Sequence, residues 1–128
     1  MGFKKFQKHS GKGGGNQPKI SLRKSESIGI NEIAIEKYFE DYDGAILYYN
    51  EEDNQVGIRP ADKEDSDAYA LQFNSNSNSA SLNAASFLKQ YGLTPSRTTQ
   101  YDAHWNEDQE LVYIDLDEEG TKYGEESE

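Results

Sequence analysis

The sequence predicts a mainly β fold with two short helices, built from one structural unit that occurs twice. Ser27 and Ser79 are 52 positions apart, and each begins a short stretch that leads into a helix-like segment. Val56 and Val112 are 56 positions apart, and each follows an acidic turn. The difference corresponds to one insertion near 94–97. A repeat of this length makes a duplicated fold the first hypothesis, with chance resemblance of two amphipathic stretches as the alternative.

Composition divides the 128 residues into five segments. They are a flexible, basic, glycine-rich arm (1–18), a first repeat (19–60), an acidic linker (61–68), a second repeat (69–115) and an acidic tail that is expected to be disordered (116–128). The hydrophobic share of 34% is low for a globular chain, so the ends and the linker are expected to lie outside the core.

Alternating apolar residues predict two strands at the start of the first repeat, over 19–23 and 25–31. Asn31 then predicts the beginning of a helix over 32–40, because its side-chain oxygen can accept from a free backbone N–H of the first turn.

The first repeat is predicted to end in a hairpin. Asp43-Gly44 indicates a turn, and residues 45–50 alternate as a strand. An acidic loop joins this strand to a short one over 56–58. Pro60 is expected to end that strand, because proline cannot donate to a strand ladder.

The second repeat follows the same order, beginning with a strand over 69–73 and an Asn/Ser-rich loop. Asn83 predicts the cap of a helix over 84–91, and Gly92 is expected to end it in a left-handed conformation. The two closing strands are expected over 101–106 and 111–114.

The charge is divided unequally along the chain, which has a net charge of −11. Residues 1–24 carry seven Lys/Arg and no acid, whereas residues 25–128 carry six Lys/Arg against 24 Asp/Glu. This asymmetry predicts a basic arm on an acidic body. Because an acidic body repels nucleic acid, such binding would have to come from the arm or a local patch. Adaptation to high salt in a halophilic source is the alternative explanation of the acidity.

The first repeat contains six features that belong together in one known family. They are Ser27–Asn31, the helix as far as Phe39, Asp43-Gly44, Ile46–Tyr49, the acidic turn, and Val56–Pro60. This pattern resembles the AbrB family, whose members are small DNA-binding regulators and antitoxins. Two units in one chain are similar to its MraZ branch. The resemblance implies a duplicated swapped-hairpin β-barrel, closed so that it has no exposed sheet edges.

The resemblance also implies a DNA-contacting surface formed by basic residues of the first strand. The positions that fit are Lys19, Arg23 and Lys24. The sequence departs from the family at Asn31, where a proline is usual. Neither helix contains the Asp-x-x-x-Arg pattern that the MraZ branch would place there.

The candidate nucleic-acid-binding residues are the basic residues of the arm and the first strand. They are Lys4, Lys5, Lys8, Lys12, Lys19, Arg23 and Lys24. Each phosphate that they neutralise would add a salt-dependent contribution to binding. A solvated basic tail that balances the acidic body is the alternative. Phe3 and Phe6 are the only large apolar side chains of the arm, and they could anchor it on a partner.

One stretch near the C-terminus matches the spacing of a calcium loop. Asp115, Asp117, Glu119, Gly120 and Glu126 fall at ligand or glycine positions of that motif. Lys122 stands where the motif packs an apolar residue, and a strand precedes the stretch. An acidic tail that meets this spacing by composition is the alternative.

No catalytic motif is present in the sequence, and we expect neither an enzyme nor a cofactor. The chain has no cysteine, and its two histidines, His9 and His104, lack a partner at metal-ligand spacing. No apolar run approaches the length of a membrane span, and the N-terminus lacks a signal-peptide core. A cytoplasmic location is the simplest expectation.

Two functions are therefore predicted. The first is a small regulatory or accessory protein that binds nucleic acid through its basic arm and first strand. The second is a protein-interaction module, antitoxin-like, viral or structural, that uses its acidic or aromatic surface and is either a monomeric pseudo-dimer or a homo-oligomer. The aromatic residues expected on strands are Tyr48, Tyr49, Tyr101, Trp105 and Tyr113, with core packing as their alternative role.

Overall fold

The computed structural model describes residues 17–75, 78–118 and 120–122, which form two antiparallel sheets and two helices. The first repeat contains β1 (Lys19–Leu22), β2 (Ser27–Ile30), α1 (Glu32–Tyr38), β3 (Gly44–Asn50) and β4 (Gln55–Ala61). The second repeat and the segment after it contain β5 (Tyr69–Ala70), β6 (Gln72–Phe73), β7 (Ala80–Asn83), α2 (Ala85–Tyr91), β8 (Thr99–Asp102), β9 (His104–Asn106), β10 (Leu111–Asp115) and β11 (Thr121–Lys122). The mainly β fold with two helices is confirmed.

The two repeats exchange strands. The six-stranded sheet has the order β11-β8-β1-β2-β7-β6, and the five-stranded sheet has the order β5-β3-β4-β10-β9. The first strand of each repeat thus pairs with a later strand of the other repeat, β1 with β8 and β5 with β3. Each sheet therefore contains strands of both repeats.

The register of both sheets relates the repeats by an approximate two-fold axis. In the six-stranded sheet Gly29 pairs with Ser81, which is 52 positions later. In the five-stranded sheet Gly57 pairs with Tyr113, which is 56 positions later. Two equivalent residues face each other in an antiparallel pair only where a two-fold axis passes between them. The axis therefore crosses both sheets at these two pairs.

The core lies between the two sheets and beneath the helices. Its strand residues alternate with outward-facing polar residues, as expected for sheets with one buried face. The fully buried large side chains are Ile20, Leu22, Ile28, Ile30, Phe39, Val56, Ile58, Leu82, Leu88, Val112 and Ile114. Both repeats supply residues to this list, so neither repeat covers its own apolar face alone.

The closed barrel implied by the resemblance is not confirmed, because pairing among the described residues forms two open sheets. The chain passes from one sheet to the other at Leu71 and at Ala103, both buried. Leu71 N donates to the Asp43 carbonyl at 2.9 Å, and Ala103 N donates to the Pro18 carbonyl at 3.0 Å. These bends divide the single strands predicted over 69–73 and 101–106 into two each.

Three further boundaries differ from the prediction. β4 continues through Pro60 to Ala61. The pairing of β4 with β10 ends at Ile58. Beyond Ile58, β4 therefore needs no backbone donor toward β10, and proline is tolerated there. α2 begins at Ala85, and its N-cap is Ala84 rather than Asn83. Within the predicted disordered tail, β11 pairs with β8. The basic arm over 1–16 lies outside the described residues, as do 119 and 123–128.

Asn31 is the N-cap of α1, as predicted, and it also ties three segments together. Its Oδ1 accepts from Ala34 N at 2.9 Å and from Lys19 N at 3.0 Å, and its Nδ2 donates to the Gln17 carbonyl at 2.9 Å. The equivalent Asn83 has one such bond, from Ala85 N to its Oδ1 at 3.1 Å.

We predict that Asn31→Ala lowers the free energy of unfolding by about 2 kcal/mol, because a cap and two further bonds are lost. Asn83→Ala, the matched control, should cost about 0.5 kcal/mol. Urea denaturation followed by circular dichroism measures both. Equal losses for the two variants would contradict the role assigned to Asn31.

Candidate functional site

The outer face of the five-stranded sheet carries an aromatic row that crosses four strands. Tyr48 pairs with Gly57, Gly57 pairs with Tyr113, and Tyr113 pairs with His104. The Tyr113 and His104 rings are 5.2 Å apart between centroids. Because the two-fold axis passes between Gly57 and Tyr113, this row lies at the centre of the sheet.

Gly57 forms the floor of a groove between the two tyrosines. A Cβ at this position would lie 3.2 Å from both methyl carbons of Leu111 and 3.5 Å from Tyr48 Cβ. Leu111 therefore packs closely over Gly57, and a side chain at this position would have to displace it. The cavity has a volume of about 500 Å³. We call it the tyrosine groove; it is lined by Tyr48, Tyr49, Asn50, Asp53, Gln55, Gly57, Asn106, Gln109, Leu111 and Tyr113.

Arg59 fixes one wall of the tyrosine groove. Its Nη1 donates to the Tyr48 hydroxyl at 3.0 Å, and its Nη2 donates to the Gln109 carbonyl at 2.7 Å. The guanidinium carbon lies 5.2 Å from the centroid of the Tyr48 ring, which is within the range of a cation–π contact. Arg59 therefore connects a strand of the first repeat to a turn of the second.

Two acidic hairpin turns of the same shape form the rim of the groove. In the first, Asp53 N donates to Asn50 Oδ1 at 3.0 Å; in the second, Gln109 N donates to Asn106 Oδ1 at 3.1 Å. Each turn ends in a residue of positive φ, Asn54 at 56° and Glu110 at 55°. The exposed carboxylates of the two turns are Glu51, Glu52, Asp53, Glu107, Asp108 and Glu110, of which Asp53 lines the groove. Together the two turns make this part of the surface strongly negative, and a negative surface attracts cations.

The predicted nucleic-acid-binding residues are only partly described. Lys4, Lys5, Lys8 and Lys12 lie outside the described residues. Lys19 Nζ pairs with Asp102 Oδ1 at 2.7 Å. The Arg23 guanidinium lies over Gly29, where a Cβ would collide with it, and its Nη1 is 3.4 Å from Ser27 Oγ. Lys24 is exposed in the turn after β1.

The structure places Lys19 and Arg23 on the outer face of the six-stranded sheet. Ile20 and Leu22 of the same strand are buried on the inner face, and side chains alternate between the two faces of a strand. It is a different surface from the tyrosine groove, and its central row is small and polar, with Ser21, Gly29 and Ser81 side by side.

Only part of the predicted calcium loop lies within the described residues. Asp115 Oδ1 accepts from Asp117 N at 2.9 Å, and Asp117 Oδ1 accepts from Asn54 Nδ2 at 3.0 Å. Glu119 and Glu126 lie outside the described residues. Within the described ranges, no group of three or more His, Asp or Glu side chains could hold a metal ion.

Two further ionisable side chains, His104 and Tyr101, lie outside the lining of the tyrosine groove. His104 Nε2 lies 3.3 Å from Glu118 Oε1, within hydrogen-bond distance. Burial raises the pKa of the Tyr101 phenol above its ordinary value.

Sequence reasoning named Tyr48 and Tyr113 as interface residues but missed Gly57 and Arg59. The sequence does contain a signal that could have indicated the position of Gly57. Gly57 and Tyr113 are 56 residues apart, so antiparallel pairing of the repeats would place both on the two-fold axis. The contacts of Arg59 depend on the second repeat's turn, and no local pattern indicates them.

Comparison with known proteins finds no matching family model, no matching curated protein and no matching solved structure.

Neither helix of the described residues has the length and apolar character needed to cross a membrane.

We predict that Arg59→Lys lowers the free energy of unfolding by about 1 kcal/mol, because an ammonium cannot bridge both oxygens and stack on Tyr48. Arg97→Lys is the matched control, since no hydrogen bond or ion pair of the Arg97 side chain occurs among the described residues. Thermal unfolding of both variants measures the difference. An Arg59→Lys protein as stable as Arg97→Lys would show that the bridge contributes nothing.

Proposed function

We propose that the chain is a non-enzymatic protein-interaction module that binds an extended, cationic polypeptide segment in the tyrosine groove. The observation that carries the proposal is the glycine floor between Tyr48 and Tyr113 beneath two acidic turns. Aromatic walls with a polar rim are typical of interface centres, where a few rings supply most of the binding energy.

The chemistry of the groove favours a lysine- or arginine-rich partner. An ammonium or guanidinium group is attracted to the face of a tyrosine ring and to the carboxylates of Glu51–Asp53 and Glu107–Glu110. Arg59 is already engaged by Tyr48 and Gln109, and it adds one positive charge against the six negative charges of the two turns.

The shape of the groove favours an extended backbone. Gly57 adds no side chain to the floor of the groove, and Leu111 packs beside it, so the floor between the two tyrosines stays low enough for a ligand backbone. The side-chain amides of Gln55 and Gln109 line the same space and can both donate and accept hydrogen bonds. A peptide crossing the groove can therefore pair its own amide groups there.

A fluorescein-labelled lysine octapeptide is the probe for this function, with fluorescence anisotropy of the full chain as the measurement. Tyr113→Ala should weaken its binding about tenfold, because a cation–π contact in a partly desolvated groove is lost. Neutralising one turn with Glu51→Gln, Glu52→Gln and Asp53→Asn should weaken it by a similar factor of about ten and reduce its salt dependence.

The matched control removes the same charge from the exposed linker, with Glu64→Gln, Asp65→Asn and Asp67→Asn. It should change the affinity less than about twofold, since charges beyond a Debye length of the groove are screened. Equal effects of the two triple variants would show general attraction to an acidic body, and they would overturn the proposed site.

Nucleic-acid binding through the basic arm and first strand is the second candidate function. It is favoured by Arg23, which has no carboxylate partner among the described residues and lies on the same sheet face as Lys19. A labelled DNA duplex in the same assay tests it. Arg23→Gln should weaken duplex binding and leave octapeptide binding unchanged.

We also propose that the fold is a duplicated form of the AbrB swapped-hairpin arrangement. The exchange of β1 and β5 between the repeats supports this relation.

A further inference from the structure

Pro60 and Leu116, which are 56 residues apart, are equivalent positions at which the two repeats differ in their backbone hydrogen bonding. Leu116 N donates to the Asn54 carbonyl at 3.0 Å, and its side chain packs against the core. Pro60 has no N–H, so it cannot make the same bond to Glu110, the equivalent of Asn54. The pairing of β4 with β10 is therefore extended by one backbone bond at the Leu116 end, and it lacks that bond at the Pro60 end.

A cavity of about 380 Å³ lies at this second position. We call it the Trp105 cleft; it is lined by Tyr38, Tyr42, Arg59, Pro60, Trp105, Glu107 and Glu110. Trp105 and Tyr42 keep 39% and 44% of their surface exposed there. Large aromatic side chains exposed in a concavity mark a binding surface.

Two stacked aromatic rings form one wall of the Trp105 cleft. The Tyr38 ring of α1 stacks on the Trp105 ring of β9, with centroids 5.2 Å apart and planes 4° from parallel. The equivalent pair, Tyr49 with Tyr91, has centroids 4.8 Å apart and planes 41° from parallel. The stack that faces the cleft thus offers a flat aromatic surface that the other half does not.

The chain enters the described region beside the same stack. Gln17 and Pro18 line the neighbouring surface together with Tyr38 and Trp105. They are fixed there, since the Gln17 carbonyl accepts from Asn31 Nδ2 and the Pro18 carbonyl accepts from Ala103 N. Sixteen residues precede Gln17. Extended, they could span about 50 Å, so the Trp105 cleft is well within their reach.

The sequence of those residues complements the cleft. Phe3-Lys4-Lys5-Phe6 and Lys8 combine two aromatic rings with three lysines, and residues 1–16 contain no acid. The cleft combines an aromatic wall with the carboxylates of Glu107 and Glu110 at its lip. An aromatic ring also suits the side beside the Arg59 guanidinium, where a lysine ammonium would be repelled.

We propose that residues 3–8 of the chain dock into its own Trp105 cleft, a phenylalanine ring against Trp105 and Tyr42 and the lysines facing Glu107 and Glu110. The same chain thus supplies both the site and its ligand. The inference does not depend on what the tyrosine groove binds.

Paramagnetic broadening tests this proposal directly. The chain has no cysteine and one tryptophan, so a nitroxide on Gly2→Cys, beside the docking segment and fifteen residues from Gln17, is the only label and the Trp105 indole N–H gives one signal. In the full ¹⁵N-labelled chain, the oxidised label should remove the Trp105 indole signal and leave the amides of Gln72 and Ser81 on the other sheet unchanged. An indole signal that persists would overturn the proposal.

Two variants separate the aromatic anchor from general charge attraction. Phe3→Ser with Phe6→Ser keeps every charge and should restore the indole signal. Lys12→Gln, the control outside the docking segment, should leave the broadening in place. Broadening that survives loss of both phenylalanines would overturn the anchor. The last experiment mixes chains that carry the nitroxide but no ¹⁵N with chains that carry ¹⁵N but no nitroxide. Broadening of the Trp105 indole signal in this mixture would show that the segment docks into a second copy, and it would contradict docking within one chain.

Discussion

Every feature of this structure depends on antiparallel pairing between equivalent residues of two repeats. Gly29 faces Ser81 in one sheet, and Gly57 faces Tyr113 in the other. Apolar burial is the main driving force of folding, and neither repeat has enough strands to cover its own apolar face. Exchange of β1 and β5 places residues of both repeats in each sheet and closes the core between them. The two-fold axis is therefore a consequence of how the apolar surface is buried.

The candidate sites arise where equivalent positions have diverged. Glycine at 57 and tyrosine at 113 meet on the axis, so one supplies a floor and the other a wall. Arg59 and Asp115 are equivalent by the same offset of 56, and only the arginine can bridge Tyr48 to the opposite turn. Pro60 and Leu116 differ in the single N–H that extends the pairing of β4 with β10 at one end. The duplicated strands thus form the fold, and the positions at which the two repeats differ form the candidate sites.

The sequence predicts the local elements well and the long-range arrangement less well. Periodicity located both helices and most strands, Asn31 is the cap it was predicted to be, and Gly92 has the expected left-handed conformation, with φ of 67°. The continuation of β4 through Pro60, the bends at Leu71 and Ala103, and the pairing of β11 depend on neighbours far along the chain. Tyr48 and Tyr113 could be named from alternation alone. Gly57 and Arg59 could not, because their roles appear only when the second repeat is placed.

The most direct test of this account is the set of cross-strand proton contacts on the two-fold axis, measured by NMR on the uniformly labelled chain. The account predicts nuclear Overhauser contacts between the backbone protons of Gly29 and Ser81, and between those of Gly57 and Tyr113. Contacts of Gly29 and Gly57 with strands of the first repeat alone would contradict it, because the two repeats would then not share their sheets.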